Sequence, residues 1–307
     1  MQTPDASHAD ASIHRHSRSF SLASRLLPAS KRTDVKQLYA WCRWCDDGVD
    51  AAESPEDAAN FVDRAIQDLQ RIADGRTPHA VESLWLADLI ERYDLPIEAA
   101  EALVEGFKSD LTPASGFDEN GLMQYCFRVA GAVGVLLCPI LGLKEKSYLP
   151  HAAALGIGMQ LTNIARDVAE DWRQSRCYLP VEWTGGPIPS DSPPPRDRVR
   201  SGVRKILEVA DDFYAAGESG ITALEPGSRL GVRAASRIYR AIGEKIKRQG
   251  YHVLDGRTRV SLVEKVAILL PLAVGQVSEI SAAKAINHRT HALKVSARLL
   301  EEHGVKL

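Results

Sequence analysis

The sequence lacks a long hydrophobic run, a high cysteine content and an excess of charge of one sign, and each absence excludes a class of protein. The longest apolar run, residues 129–143, is shorter than the roughly 20 residues that a membrane-spanning helix needs. Five cysteines in 307 residues do not suit a disulfide framework and favour a reducing compartment. Lys and Arg total 38 against 40 Asp and Glu, so nucleic acid is not an expected partner. The first residues contain no signal-peptide-like apolar stretch, and we expect a cytoplasmic protein.

Strand signals are also missing. Aromatic residues make up only 6% of the chain, and no run alternates apolar and polar residues between hairpin turns. Apolar residues recur instead at helical spacing, as in Phe61, Ala65 and Leu69. Prolines mark helix starts: Pro28 before a helix from near Thr33, Ser54-Pro55 at the next, and Pro96 at a later one. The sequence therefore predicts an all-α fold.

The pattern indicates one domain rather than two. Residues 1–12 read as a flexible N-terminal arm, and residues 13–303 as a single helical domain. The Pro-rich segment 184–197 is predicted to be a surface loop, because the helices on both sides of it have apolar faces that need cover. Further helices are predicted at about 198–219, 229–250, 260–280 and 283–302.

Two acidic segments carry the functional signal. In the first, Asp46 and Asp50 are four residues apart and share a helix face with Tyr39 and Arg43, and Asp47 lies between them. Stacked carboxylates destabilise an isolated helix. Their presence within an apolar helix therefore calls for a compensating cation.

The second acidic segment repeats the spacing. Asp167 and Asp171 are four residues apart, and Gln160 and Asn163 precede them on the same face. The stretch just upstream is almost wholly apolar, so these polar groups begin in a core where they are costly unless satisfied. If the two rows face each other, they form an oxygen-lined cavity suited to Mg²⁺ and a diphosphate. Arg43 and Arg166 could contact the phosphate oxygens.

These segments and three others resemble the squalene/phytoene synthase family, most closely its bacterial phytoene synthases. The resemblance covers about residues 13–281. The matching segments, in chain order, are HSRSF at 16–20, LYAWCR with DDxxD at 38–50, YCFRVAGxVG at 125–134, QLTNIARDxxxD at 160–171 and RCYLP at 176–180. Five ordered matches make the resemblance far more specific than a single aspartate pair.

The resemblance implies a single-domain isoprenoid synthase fold, a helical bundle around a central apolar cavity. The implied reaction is the Mg²⁺-dependent head-to-head condensation of two geranylgeranyl diphosphates, through a cyclopropylcarbinyl diphosphate, to phytoene in carotenoid biosynthesis. Mn²⁺ is an alternative metal, and NADPH is not expected. Prenyl diphosphates are the expected substrates, and peripheral membrane contact and downstream carotenoid enzymes are candidate partners.

The resemblance also assigns roles to individual residues. The implied catalytic residues are Tyr39, Arg43, Tyr125, Gln160, Asn163 and Arg166. The implied substrate-binding residues are His16, Ser19, Phe20, Tyr39, Arg43, Arg166, Tyr178, Tyr239 and Arg257. The implied metal ligands are Asp46, Asp47, Asp50, Asn163, Asp167 and Asp171. Candidates for the apolar lining, most of which we expect to be ordinary core residues, are Leu136, Leu137, Ile140, Leu155, Ile157, Ile268, Leu269 and Leu270.

Several alternatives remain open at this stage. The chain could instead make dehydrosqualene, presqualene diphosphate or hydroxysqualene from farnesyl diphosphate, or be a catalytically silent binding relative or a helical scaffold. Gly48 departs from the apolar residue usual at this point of the family's first motif, so a loosened helix is expected there. Cys42 and Cys45 form a C-x-x-C that we interpret as core or groove cysteines, because no second ligand pair accompanies them.

Overall fold

The protein is built from helices packed around one long central helix. The computed structural model describes residues 18–111, 117–273 and 285–307, and within them it contains no β-strand, which confirms the all-α prediction. The helices are α1 (Arg18–Ser24), α2 (Ala29–Asp50), α3 (Pro55–Ala73), α4 (Val81–Tyr93), α5 (Ile97–Ser109), α6 (Glu119–Cys126), α7 (Ala132–Ile140), α8 (Leu149–Arg173), α9 (Val181–Thr184), α10 (Arg196–Ser219), α11 (Pro226–Arg248), α12 (Leu262–Ala273) and α13 (Ala285–Glu302). A π-helical turn, Phe127–Gly131, joins α6 to α7.

Local sequence explains where the helices begin. Ser54 caps α3, its hydroxyl accepting a hydrogen bond from the Asp57 amide at 3.1 Å, and Pro55 occupies the first helical position. Pro96 precedes α5 as predicted. The predicted start of α2 near Thr33 is wrong by one turn, because Pro28 is itself the capping residue and the helix begins at Ala29.

Helix α8 forms the centre of the bundle. It packs against α7, α10, α11, α13 and the π-helical turn. Its middle is fully enclosed, and Ala153, Ala154 and Ile157 have no exposed surface. Polar side chains on a helix buried on so many sides need hydrogen-bond or charge partners. The acidic residues at the C-terminal end of α8 are therefore expected to have such partners.

Glycines allow the central helices to approach closely. A Cβ atom on Gly156 would lie 2.3 Å from the carbonyl oxygen of Ala130, and one on Gly134 would lie 2.5 Å from that of Ala152. Both contacts are with backbone, which cannot rotate away. The α7–α8 pair therefore depends on these two residues having no side chain.

The apolar run of the sequence lies inside this bundle. The continuous helical stretch Glu119–Ile140 is long and apolar enough to cross a membrane by length and composition, yet more than half of it is buried against other helices. Val135, Leu136 and Ile140 are fully enclosed. Burial of this kind is typical of a core helix.

The predicted loop and arm have different outcomes. Thr184 ends α9, and the chain follows the surface from Gly185 to Pro195 before α10 begins at Arg196. The predicted N-terminal arm, residues 1–12, lies outside the described residues, and so do residues 274–280 of the predicted helix 260–280.

Replacing Gly156 by alanine tests the close approach. We expect Gly156→Ala to lower the free energy of unfolding by about 1–3 kcal/mol, because the new methyl meets backbone. The matched control is Gly243→Ala on α11, whose methyl would lie 3.1 Å from a movable Leu207 side chain. That control should be neutral or stabilising, since alanine favours a helix. Urea unfolding followed by circular dichroism measures both, and equal losses would contradict the packing argument.

Candidate active site

A cavity of about 1030 Å³ is lined by acidic residues from both motifs. Asp46 and Asp50 reach its wall from α2, and Asp167 and Asp171 from α8. The remaining wall is largely apolar and runs between α7, α8 and α11. Two acidic rows that are distant in sequence thus meet at one end of a largely apolar cavity.

The first acidic row is held by arginines. The Arg43 guanidinium donates hydrogen bonds to the carboxylates of both Asp46 and Asp47. Arg176 lies 3.3 Å from Asp50. Burial raises the pKa of Asp46 to about 6, although Arg43 opposes the shift. Asp47, a predicted metal ligand, is not among the residues that line the cavity.

Two arginines hold Asp167 in the second acidic row. Arg166 donates from Nε to Asp167 at 2.7 Å, and Arg257 lies 2.8 Å from the same carboxylate. Arg257 also lies 3.2 Å from Glu170. Burial, followed by the neighbouring charge of Asp167, raises the pKa of Asp171 to about 7. A carboxyl group with such a pKa is poised to exchange its proton for a metal cation.

Asn163 supports a cation site at this row. Its side-chain nitrogen points to Gln160 Oε1 at 3.3 Å, and its Oδ1 is buried with no hydrogen-bond partner among the described residues. An orphaned amide oxygen one turn from Asp167 is an oxygen donor of the kind that Mg²⁺ accepts. In the described part of the chain no three acidic, His or Cys side chains form a compact cage. The carboxylate and amide oxygens at this row are of the kind that Mg²⁺ binds together with waters and substrate phosphates.

An aromatic stack covers one side of the acidic end. Tyr125 and Tyr178 have ring centroids 4.8 Å apart, and Phe117 extends the stack at 5.9 Å from Tyr178. Both tyrosine hydroxyls donate to Asp110, at 3.3 Å and 3.1 Å. The rings are thereby fixed beside the acidic rows.

Sequence reasoning missed Asp110. It follows the last residue of α5 and has no acidic partner at helical spacing, so no motif signals it. It lines the cavity, and burial raises its pKa to about 6. Glu170 and Arg176, which lie in segments singled out by the sequence but were not predicted as site residues, also line the cavity, and so do Arg259 and Lys265.

The other predicted site residues divide into three groups. Tyr39, Tyr239 and Arg257 line the cavity together with the acidic rows. Ser19 and Phe20 belong to α1, and His16 lies outside the described residues.

The prediction for the apolar lining is partly wrong. Leu137 and Leu155 line the cavity. Leu136, Ile140 and Ile157 are enclosed core residues, as expected for most of the set. Ile268 and Leu269 are not wall residues, and Leu270 is 59% exposed, because α12 packs along α11 with only part of its surface turned inward.

Gly48 does not loosen the first motif, contrary to expectation. Helix α2 continues without a break to Asp50. A Cβ atom on Gly48 would lie 2.2 Å from the Phe61 ring, so the glycine instead lets that ring pack on the helix backbone. The acidic helix is thus supported from behind.

The interpretation of Cys42 and Cys45 as core or groove cysteines is confirmed. Both are buried and free, and Cys42 lines the cavity together with Cys138. Burial raises the pKa of the Cys42 and Cys138 thiols.

Comparison with known proteins agrees with the geometry. The family model for squalene/phytoene synthase matches residues 13–264. A phytoene synthase of Cereibacter sphaeroides is 36% identical over 269 residues, which cover 84% of this chain and 76% of that protein. A 15-cis-phytoene synthase of a Paracoccus species is 33% identical over 266 residues, which cover 84% of this chain and 87% of that protein.

Solved structures share the architecture. A dehydrosqualene synthase with a bound ligand superposes with a TM-score of 0.79 at 24% identity, over 88% of this chain and 95% of that one. The squalene synthase HpnC of Alicyclobacillus acidocaldarius superposes with a TM-score of 0.69 at 25% identity, over 80% and 94%. These likenesses confirm the isoprenoid synthase fold, and with the sequence matches they show that the chain belongs to the squalene/phytoene synthase family.

Proposed function

We propose that the protein condenses two geranylgeranyl diphosphates head to head, through a cyclopropylcarbinyl diphosphate, to phytoene in carotenoid biosynthesis. The observation that carries this proposal is the meeting of both acidic rows, with their arginines, at one end of a largely apolar cavity. A diphosphate suits the charged end, and a long hydrocarbon suits the remainder. The relatives named phytoene synthase support the choice of product.

The residues of the charged end suit a magnesium–diphosphate complex. Asp46, Asp50, Asn163, Asp167 and Asp171 would hold Mg²⁺, or Mn²⁺ in its place. When bound, the metal neutralises charge that develops on the departing diphosphate. Arg43, Arg166 and Arg257 already lie against these carboxylates, and their guanidinium forks match phosphate oxygens.

The rest of the cavity suits an allylic cation. Its apolar wall excludes water, which would otherwise capture the cation. Tyr125 and Tyr178 line the cavity beside the acidic rows, and an aromatic face attracts a cation. Their hydroxyls are bound to Asp110, so the rings keep their orientation through both ionisations. NADPH takes no part in this proposal, since phytoene forms by proton loss rather than by hydride transfer.

We also propose a cytoplasmic protein that contacts the membrane surface through α12. Leu262, Val266 and Leu270 recur every four residues on this helix and are 68%, 49% and 59% exposed, and Val263 beside them is 80% exposed. Arg259 and Val260, just before α12, line the cavity. An apolar stripe at the cavity would let a water-insoluble product pass into the bilayer, where downstream carotenoid enzymes would take it up.

Product analysis tests the reaction. With geranylgeranyl diphosphate and Mg²⁺ we expect phytoene, no product after chelation of the metal, and no change on adding NADPH. Farnesyl diphosphate tests the shorter alternative products. Chromatography with mass detection identifies the hydrocarbon. Condensation of farnesyl but not geranylgeranyl diphosphate would replace the proposed substrate, and no turnover of either would favour a silent relative.

The acidic rows are tested in the same assay. Asp46→Asn and Asp167→Asn should each lower kcat by about 100-fold or more, because each removes a charged oxygen from the metal and diphosphate end. Asp63→Asn, at an exposed position of α3, is the control and should leave kcat unchanged. Full activity in both active-site variants would refute the metal role.

Metal affinity should depend on pH. The pKa of Asp46 is raised to about 6 and that of Asp171 to about 7, so both carboxyl groups carry protons at low pH. Protons then compete with Mg²⁺, and its apparent affinity should fall roughly 10–20-fold from pH 8 to pH 6. Isothermal titration calorimetry without substrate measures this. An affinity independent of pH over that range would argue against these ligands.

Vesicle binding tests the surface of α12. The wild type should sediment with vesicles of phosphatidylcholine and phosphatidylglycerol, and Val263→Glu/Leu270→Glu should bind about tenfold less, since burying each side chain stabilises the bound state. Val81→Glu, at an exposed site on α4, is the control and should bind as the wild type does. Equal binding of all three proteins would exclude α12 as the contact.

A further inference from the structure

The cavity follows the central helix from the acidic rows to a distal end. Its wall residues recur along one side of α8, as Ala152, Gly156, Met159, Asn163 and Asp167, and His151 lies at the far edge. Sixteen residues separate His151 from Asp167, which corresponds to about 24 Å along a helix. The acidic end and the distal end are thus separated by a fixed, helix-defined length.

The opposite wall of the cavity gives the same distance between the acidic end and the distal end. Tyr125, bound to Asp110 at the acidic end, begins a helical stretch whose cavity-lining residues continue through Val129 and Leu137 to Leu141. This stretch runs in the opposite sense to α8 and also advances sixteen positions along the chain, or about 24 Å. Two antiparallel helical stretches of equal length therefore form opposite walls of the cavity, which we call the slot.

The length fits a prenyl chain of four units. Four carbon–carbon bonds in a zigzag extend about 5 Å, so three, four and five isoprene units reach about 15, 20 and 25 Å. With its diphosphate at the acidic rows, a four-unit chain fits within the slot. A five-unit chain would reach the distal end.

An aromatic pair, Tyr148 and His151, lies at the distal end of the cavity wall. His151 Nδ1 donates to the Ala216 carbonyl oxygen at 2.9 Å and lies 3.1 Å from Ser219 Oγ. The Tyr148 ring lies beside it in a tilted arrangement, with a centroid distance of 5.4 Å. A Cβ atom on Gly220 would lie 2.4 Å from His151 Cβ, so the end of α10 presses directly on the histidine.

We infer that Tyr148 and His151 are specificity-determining residues that stop the prenyl chain at four isoprene units. The inference rests on the proposed function, because it assigns the diphosphate to the acidic rows. The pair lies too far from those rows to touch the reacting carbons. Its hydrogen bonds to a second helix keep the stop rigid, and a rigid stop is what lets a cavity discriminate by length.

Variants that fill or open the distal end test this role. His151→Trp and Leu143→Trp add bulk to the end from two separate segments, and His151→Ala removes it. The control is His291→Trp, at an exposed position of α13. The probes are unreactive thiolodiphosphate analogues with three, four and five isoprene units, and calorimetry gives their Kd values with Mg²⁺ present.

The inference predicts opposite shifts for the two kinds of variant. Both filling variants should weaken binding of the four-unit analogue about tenfold and change the three-unit analogue less than twofold. His151→Ala should strengthen binding of the five-unit analogue about tenfold, and the control should match the wild type. Retained binding of the three-unit analogue shows that each variant is folded.

Two results would overturn the inference. Parallel losses for three-unit and four-unit analogues in both filling variants would mean that His151 serves only to hold the fold together. Unchanged length preference in all variants would place the stop elsewhere. Failure of the wild type to bind any analogue would instead refute the proposed function, and with it the stop, so the two failures are distinguishable.

Discussion

The structure depends on holding two rows of carboxylates together at the edge of an apolar cavity. Asp46 and Asp171 lose much of their hydration, and the pKa values of about 6 and 7 express the resulting cost of ionisation. Arg43 offsets part of this cost at Asp46, and Arg176 and Arg166 do so at Asp171. The same guanidinium groups make the site electrostatically ready for a diphosphate.

The scaffold keeps these charges in register by close packing. Gly156 and Gly134 let α7 and α8 touch backbone to backbone, and the Phe61 ring rests on α2 at Gly48. Helices supported in this way cannot rotate far about their axes. The orientation of the two rows therefore follows from close helix packing, at Gly48 behind the first row and at Gly156 on the same side of α8 as the second.

Much of the fold and part of the site could be predicted from the sequence. Proline and serine signals located the start of α3, and the four-residue spacing of Asp167 and Asp171 located the second row. Asp110 could not be found in this way, since its importance comes from Tyr125 and Tyr178, distant in sequence. The exposure of Leu270 could not be predicted either. An apolar pattern indicates a buried helix face but does not show which surface covers it.

The buried cysteines have a chemical consequence for the cavity. Cys42 and Cys138 line a space proposed to hold an allylic cation, and a thiolate there would be alkylated irreversibly. Burial raises the pKa of both thiols, so they stay protonated and are weak nucleophiles at neutral pH. The exclusion of water that protects the cation from capture thus also keeps the thiols protonated, which protects the enzyme from alkylating itself.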